Sequence, residues 1–323
     1  MKKTAIIILA IMLVLSFTLV IAGCKAEEKT TIGIIQYVEH VALDSAREGF
    51  IDALADNGYV DGENITIDTQ NAQADQSNLS TISDRFVADK VDLILAIATP
   101  AAQSIAGKTK DIPILGTAIT DYEAAKLVDS NEVPGGNVSG TTDMNPIKEQ
   151  IELLVKLVPD AQTIGVIYTS SEDNSIVQAQ IAREVIEEMG LTYTEVTITN
   201  SNDVQQAVQQ IVENCDALYL PTDNVLASSM PVVAGVTIES KTPVICGESG
   251  MVAAGGLATL GINYYDLGYQ TGLMAVKILK GEAESATMAI ESATDFDYAI
   301  NGDIAEQIGL TIPADLTQYI IEE

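Results

Sequence analysis

The chain contains one histidine, His40, and three cysteines, Cys24, Cys215 and Cys246. A single imidazole excludes a multi-histidine metal site, and any Ser-His-Asp triad would depend on His40 alone. No G-x-S-x-G, P-loop, G-x-G-x-x-G or S-x-x-K occurs anywhere. The run PTDN, Pro221 to Asn224, comes near the S-D-N signature of penicillin-binding enzymes but lacks its companion motif. No enzyme class therefore has a motif behind it, and neither a cofactor nor a metal is expected. His40 reads most simply as a residue that starts a helix, with ligand contact as the lesser alternative. Basic residues are scarce too: 16 Lys plus Arg stand against 46 Asp plus Glu, a formal charge of −30. A surface that acidic repels nucleic acid and anionic lipid headgroups, although it also serves plain solubility. A basic helix-turn-helix segment is absent. Cys215 precedes an expected strand (DALYL) and Cys246 ends another (TPVIC). In a parallel sheet these positions lie at opposite ends, too far apart to bridge, so both read as small apolar residues.

What the sequence does have begins at its N-terminus. MKKTAIIILAIMLVLSFTLVIAGCKA joins two lysines, an apolar run and the small residues Ala22-Gly23 before Cys24. That pattern describes a secretory signal over residues 1–23. The small pair before a cysteine resembles a bacterial lipobox, which would make Cys24 a diacylated N-terminus followed by a tether over 24–30. An uncleaved anchor is the alternative, because the run from Ala5 to Gly23 is long enough to span a bilayer. In either case the expected location is extracytoplasmic and attached to the bacterial cell membrane. No later apolar run approaches spanning length.

The remaining 300 residues are too many for a typical single core. They also repeat themselves. TIGIIQY starts at Thr31 and TIGVIYT starts at Thr163; each precedes a helical pattern ended by a glycine, Gly58 or Gly190. Gly33 to Gly58 and Gly165 to Gly190 are both 25 positions. DLILAIATPAAQSIA from Asp92 pairs with DALYLPTDNVLASSM from Asp216, and IPILGTAITD from Ile112 pairs with TPVICGESGM from Thr242. From Asp92 to Pro113 is 21 positions and from Asp216 to Pro243 is 27, so the second copy carries about six more residues. Strands alternating with helices imply parallel sheets. The expected fold is α/β, with two similar lobes, each a mostly parallel sheet flanked by helices, facing each other across a cleft. A third region carries the amphipathic helix YDLGYQTGLMAVKILKG and a short helix DIAEQIGL, read as one return to each lobe. The expected lobes are 31–143 plus about 263–290, and 144–262 plus about 291–323, joined by a hinge of several crossovers.

The chain resembles the extracytoplasmic solute-binding proteins of ABC importers with the type I periplasmic-binding fold, more narrowly the tryptophan- or tyrosine-binding lipoprotein branch. The resemblance rests on IGIIQYVEHVALDSAREGFIDAL (Ile32 to Leu54), ATPAAQ (Ala98 to Gln103), YTSSEDNS (Tyr168 to Ser175), PTDN and LGINYYDLGYQTG (Leu260 to Gly272). These segments spread over nearly all of the chain after residue 30. Val41 departs from the family's pattern, which commonly has proline after the histidine. The resemblance implies a monomeric receptor that passes a small molecule to an ABC permease and its ATPase. It also favours an aromatic amino acid as ligand. A sensor or adhesin on the same scaffold, or a binder of a nucleoside or another neutral solute, is the alternative.

In open parallel sheets ligands sit beyond the carboxyl ends of strands. The internal alignment matches Thr99 with Asp223, Pro100 with Asn224, Glu39 with Ser171 and Ala118 with Glu248. Thr99-Pro100 has the form of an N-cap followed by proline, whose free N–H groups suit a ligand carboxylate. Ser170, Ser171 and Asn174 in SSEDNS offer a second such helix start. Asp223 and Glu248 are the candidates for holding an ammonium, against an alternative as solvated loop acids. Without Lys2 and Lys3 the chain keeps 14 cationic residues, none at an expected strand end. A phosphate ester would recruit Arg or Lys, so the ligand is expected to be neutral or zwitterionic. Tyr37, Tyr122 and Tyr168 fall at or just past strand ends, placed either to flank an aromatic side chain or to pack. Ordinary capping is an equally open reading for any single one of the helix starts.

Overall fold

The computed structural model describes residues 29–321. Its first segment runs β1 (Thr30–Gln36), α1 (Val41–Asp56), β2 (Ile65–Asn71), α2 (Gln76–Asp89), β3 (Leu93–Ile97), α3 (Thr99–Ala106), β4 (Ile114–Ile119) and β5 (Val138–Thr142). A second segment follows with α4 (Ile147–Leu157), β6 (Thr163–Thr169), α5 (Asp173–Glu188), β7 (Thr192–Ile198), α6 (Val204–Val212) and β8 (Ala217–Leu220). It continues through α7 (Asn224–Ser228), α8 (Met230–Ser240), β9 (Val244–Cys246), α9 (Ser249–Ala253) and β10 (Ala258–Gly261). The chain ends with α10 (Tyr264–Leu279), β11 (Glu291–Ser292), β12 (Asp297–Ile300) and α11 (Gly302–Ile308).

These strands form two six-stranded sheets, ordered β2-β1-β3-β4-β5-β11 and β7-β6-β8-β9-β10-β12. The two orders are the same, as the repeated sequence requires. The final pairings differ: β11 joins β5 in parallel, whereas β12 runs antiparallel to β10. Every residue of β3 (LILAI) and β8 (ALYL) is buried, the mark of strands covered by helices on both faces. The extra residues of the second copy lie where α7 and α8 together occupy the place of the single helix α3. Helix starts follow local chemistry. Asp75 accepts from the backbone N–H of Ser77 and Asn78 to open α2, and Asn263 accepts from those of Tyr265 and Asp266 to open α10. Cys215 and Cys246 are free thiols, half-buried and buried respectively.

The chain passes between the lobes three times: between β5 and α4, between β10 and α10, and between β11 and β12. Glu291–Ser292 still pairs in the first sheet, so the last passage comes after Ser292. Two of the passages are tied together, since Asn145 accepts from the Ile262 backbone N–H at 3.1 Å and donates to the Asp143 carbonyl at 3.0 Å. In the first lobe α10 lies against α1 at backbone contact. A Cβ at Gly268 would stand 1.9 Å from the Ala46 carbonyl oxygen, and one at Gly49 would stand 2.0 Å from that of Tyr265.

Candidate functional site

The carboxyl ends of both sheets face one cleft. Polar contacts that cross it among the described residues include Gln103 Nε2 donating to Asp173 Oδ2 at 2.8 Å, Gln178 Nε2 donating to Thr120 Oγ1 at 3.5 Å, and His40 Nε2 lying 3.4 Å from Asn224 Oδ1. Between the lobes is a small cavity. His40, Leu43, Ala118, Thr120 and the hinge residues Asp143 and Tyr264 line one side. Asn174, Thr222, Asp223, Asn224, Ala227 and Glu248 line the other. Two alanines here have backbones that L-residues rarely adopt, Ala98 at φ 79° with ψ 153° and Ala118 at φ 55°. Both follow or end central strands at the cleft, and backbone strain of this kind concentrates at functional sites.

Four carboxyl groups are buried in this region, and among the described residues no Lys or Arg side chain forms an ion pair with any of them. Three have both oxygens occupied. Asp143 accepts from the Thr120 hydroxyl at 2.9 Å and the Tyr264 hydroxyl at 2.8 Å. Asp223 caps α7 through Leu226 N–H at 2.9 Å, and accepts from the Thr169 backbone N–H at 2.6 Å and hydroxyl at 2.9 Å. Glu248 caps α9 through the backbone N–H groups of Gly250 and Met251. The fourth is Glu172. Its Oε2 accepts from Asn224 Nδ2 at 2.5 Å and Asn174 Nδ2 at 3.3 Å, while its Oε1 is buried without a partner in the protein. Burial raises all four above the ordinary carboxylate range. Glu248 is pushed up to about 7, and Glu172, with Asp223 beside it, to about 8. Across the cleft, burial lowers His40 to about 4 and so keeps its imidazole neutral at pH 7.

Among the described residues, buried side-chain atoms without a hydrogen-bond partner include His40 Nδ1, Thr99 Oγ1, Glu172 Oε1 and Asn174 Oδ1. All four belong to the strand ends or helix starts that face the cleft, two from each lobe. Buried polar atoms are nearly always paired, so unpaired atoms gathered in one place need an explanation. Residues 31–322 match the family described as ABC transporter substrate binding protein. The chain belongs to that family. The substrate-binding protein is 44% identical over 296 residues to a tyrosine-binding protein of Clostridioides difficile, a span of 91% of this chain and 86% of that one. It superposes at a TM-score of 0.88 on an ABC domain from Streptococcus pneumoniae in complex with L-Trp, at 39% identity over 91% of this chain and all of that one. A ligand-free, open substrate binding protein with adhesive properties from Clostridium difficile is more similar in sequence, 48% over 91% of this chain and 99% of that one, yet reaches 0.69. More similar lobes should superpose better, so the deficit lies in how the lobes are arranged. The arrangement here is that of the complex rather than the open form. The fold is the two-lobe α/β type I periplasmic-binding fold.

The residues singled out from the sequence of this substrate-binding protein meet different fates. Asn174, Asp223, Asn224 and Glu248 line the cavity. Tyr37 is buried close enough to Glu172 and Asp223 of the other lobe that their charges help hold its hydroxyl above its ordinary value, after burial itself. Thr99 is buried, but α3 starts on it and Ala98 stands at the cap, so its hydroxyl is unpaired rather than capping. Pro100 is buried in the first turn. Tyr122 is fully enclosed in the first lobe, donating to the Thr141 carbonyl at 3.0 Å over the space left by Gly116 and Gly140. It packs rather than facing the cavity. Glu39, Ser170 and Ser171 are exposed, and the Ser170 hydroxyl donates to the Ile198 carbonyl at 3.0 Å. Tyr168 reaches the other way, to Glu195 at 3.4 Å. Cys24 lies outside the described residues. Sequence reasoning passed over Glu172, Asp143, Thr120 and Tyr264; Glu172 sits inside the quoted run SSEDNS, where nothing distinguishes a buried acid from its exposed neighbour Asp173.

The acids have a consequence for stability. A carboxyl whose folded value is raised binds its proton more tightly in the folded state, so folding is strongest below the unfolded value and weakens as pH climbs to the folded one. For Glu248 and Glu172 that window runs from the ordinary 4.5 up to about 7 and about 8. The melting temperature is therefore expected to fall as pH is raised from 5.5 to 8.5. Calorimetric melting at fixed ionic strength checks it, and a melting temperature rising through that range would contradict it.

Proposed function

We propose that this protein is an extracytoplasmic receptor of an ABC importer, held to the membrane by a lipid on Cys24. It binds one zwitterionic aromatic amino acid, tyrosine, tryptophan or phenylalanine, between its lobes and delivers it to a permease and its ATPase. The observation that carries this reading is the gathering of unpaired buried polar atoms from both lobes at one cleft. A ligand contacted from both sides favours the closed arrangement over the open one by its extra contacts, the basis of lobe closure about a hinge. The lack of Lys or Arg in the cavity lining favours an overall neutral ligand. The tyrosine-binding relative and the L-Trp complex point the same way. Tyr37, Thr99, Pro100, Asn174 and Asn224 remain the proposed binding residues, while Asp223 and Glu248 line the same cavity with their carboxylates bonded within their own lobe. A second reading as an adhesin draws on the adhesive properties of the Clostridium difficile relative.

A thermal-shift screen of L-Tyr, L-Trp, L-Phe, nucleosides and sugar phosphates tests the proposal. Ligand at about 100 times its Kd adds about 2.7 kcal/mol, a rise on the order of 5 °C for a chain of this size. That rise is expected for at least one aromatic amino acid. A response confined to sugar phosphates would end the amino-acid reading.

A further inference from the structure

We propose that Glu172 is the acceptor of the ligand's ammonium group, and that Asp223 and Glu248, though acids of the same cleft, are structural caps. The inference deepens the amino-acid reading and rests on it. A carboxylate oxygen that accepts nothing from the protein is the one most open to an ammonium, and the cleft acids differ in this respect. Both oxygens of Asp223, Glu248 and Asp143 accept hydrogen bonds from the protein. Glu172 spends Oε2 on Asn224 and Asn174 and leaves Oε1 free.

An ammonium has three N–H donors and needs up to three acceptors. Asn174, two residues on at the same helix start and bonded through Nδ2 to Glu172 Oε2, also leaves its Oδ1 without a partner. The third comes from the opposite lobe. Gln103 on α3 reaches Asp173 at the start of α5, so these two helices meet across the cleft. Thr99 lies four residues before Gln103, hence on the same face of α3 one turn nearer its start. Its hydroxyl is buried and unpaired.

The charges facing Glu172 agree. From its own lobe there is Asp223, with the exposed Asp173 adjacent; from the other lobe there are the Tyr37 phenol and, through Asn224, the imidazole of His40, which is neutral at pH 7. Behind Tyr37 stands Asp75, and beside His40 stands Asp44. None of these groups is a cation. A positive charge brought by the ligand would thus be the first beside Glu172 and would draw its carboxyl into the ionised form, and an ammonium in this water-excluded place is worth far more than at a surface.

Calorimetry on the full chain with L-tyrosine and with its des-amino analogue, 3-(4-hydroxyphenyl)propionate, reads the amine directly. The wild type is expected to prefer L-tyrosine by about 30-fold or more, the scale of breaking a buried charge pair. In Glu172→Gln that preference should collapse to a few-fold, with the analogue bound about as well as before. In Asp223→Asn the preference should persist. Equal binding of the two compounds by the wild type would overturn the proposal without any variant being needed. So would a preference kept in Glu172→Gln or lost in Asp223→Asn. If the wild type bound L-Tyr, L-Trp and L-Phe not at all, the amino-acid reading itself would fall, and this assignment with it.

Discussion

Gly268→Val should lower the stability of the protein by about 4 kcal/mol, on the order of 10 °C in melting temperature. The obstacle is backbone. Even the first carbon of a side chain at this position would stand 1.9 Å from the Ala46 carbonyl oxygen and 2.6 Å from its carbon. No rotamer change relieves such a contact, so α10 must move off α1. Gly272 and Gly49 mark the same close approach, with a Cβ at Gly272 meeting Ala53 Cβ at 2.5 Å. The helices would separate along their whole length, and the lobe would lose the packing of Leu267, Met274 and Ala275 in its core. Gly136→Ala is the matched control, because nothing lies within 4 Å of a Cβ there, and it should melt within about 1 °C of the wild type. Thermal unfolding of the two variants side by side decides the matter; a Gly268→Val protein as stable as the control would mean that the helices are not in contact as described.

Asp223→Ala should cost stability and not affinity alone. Its carboxylate supports two backbone N–H groups, those of Thr169 and Leu226, and the Thr169 hydroxyl, all buried. Truncation strands both N–H groups, at about 1–3 kcal/mol each. Removing a carboxyl whose ionised form burial disfavours returns part of that, so a net loss of about 3 kcal/mol is expected. Asp223→Asn keeps one acceptor oxygen but turns an NH2 donor towards one of the two backbone N–H groups, so it should lose about 1–3 kcal/mol, less than Asp223→Ala. Urea unfolding of both variants separates the two effects. Wild-type stability in Asp223→Ala would show that the cap and the Thr169 bonds carry little.

The two-lobe architecture was legible because it was written twice, and because strands covered on both faces read as unbroken apolar runs such as LILAI and ALYL. Strand ends were legible too, so Asn174, Asp223, Asn224 and Glu248 could be named in advance as cleft residues. The state of their oxygens could not. Whether Asp223 is spent on Thr169 depends on contact between segments 54 positions apart, and no local pattern encodes it. Tyr122 misled for a related reason. It follows a strand end, but Gly116 on β4 and the left-handed Gly140 on β5 open a space beneath it, and only the pairing of those strands reveals that space. The alignment of Thr99 with Asp223 slips by one at the helix start, since Asp223 caps its helix whereas Ala98 stands at the other cap and Thr99 is the first helical residue. The two copies share a backbone plan while their side chains have taken different work.

The three passages between lobes bear on the order in which the molecule can be made. Neither lobe is a single stretch of chain. The first lacks α10, its most extensive partner for α1, until residues near 279 have left the ribosome, and lacks β11 until 292. The second waits for β12 and α11, near residue 308. During synthesis the face of α1 at Gly49 waits for its partner helix, while Phe50 and Leu54 already share a core with the earlier strands, so the lobe forms at first without one of its layers. Domains that are continuous in sequence fold as they emerge; here neither lobe is complete until nearly all of the chain is present.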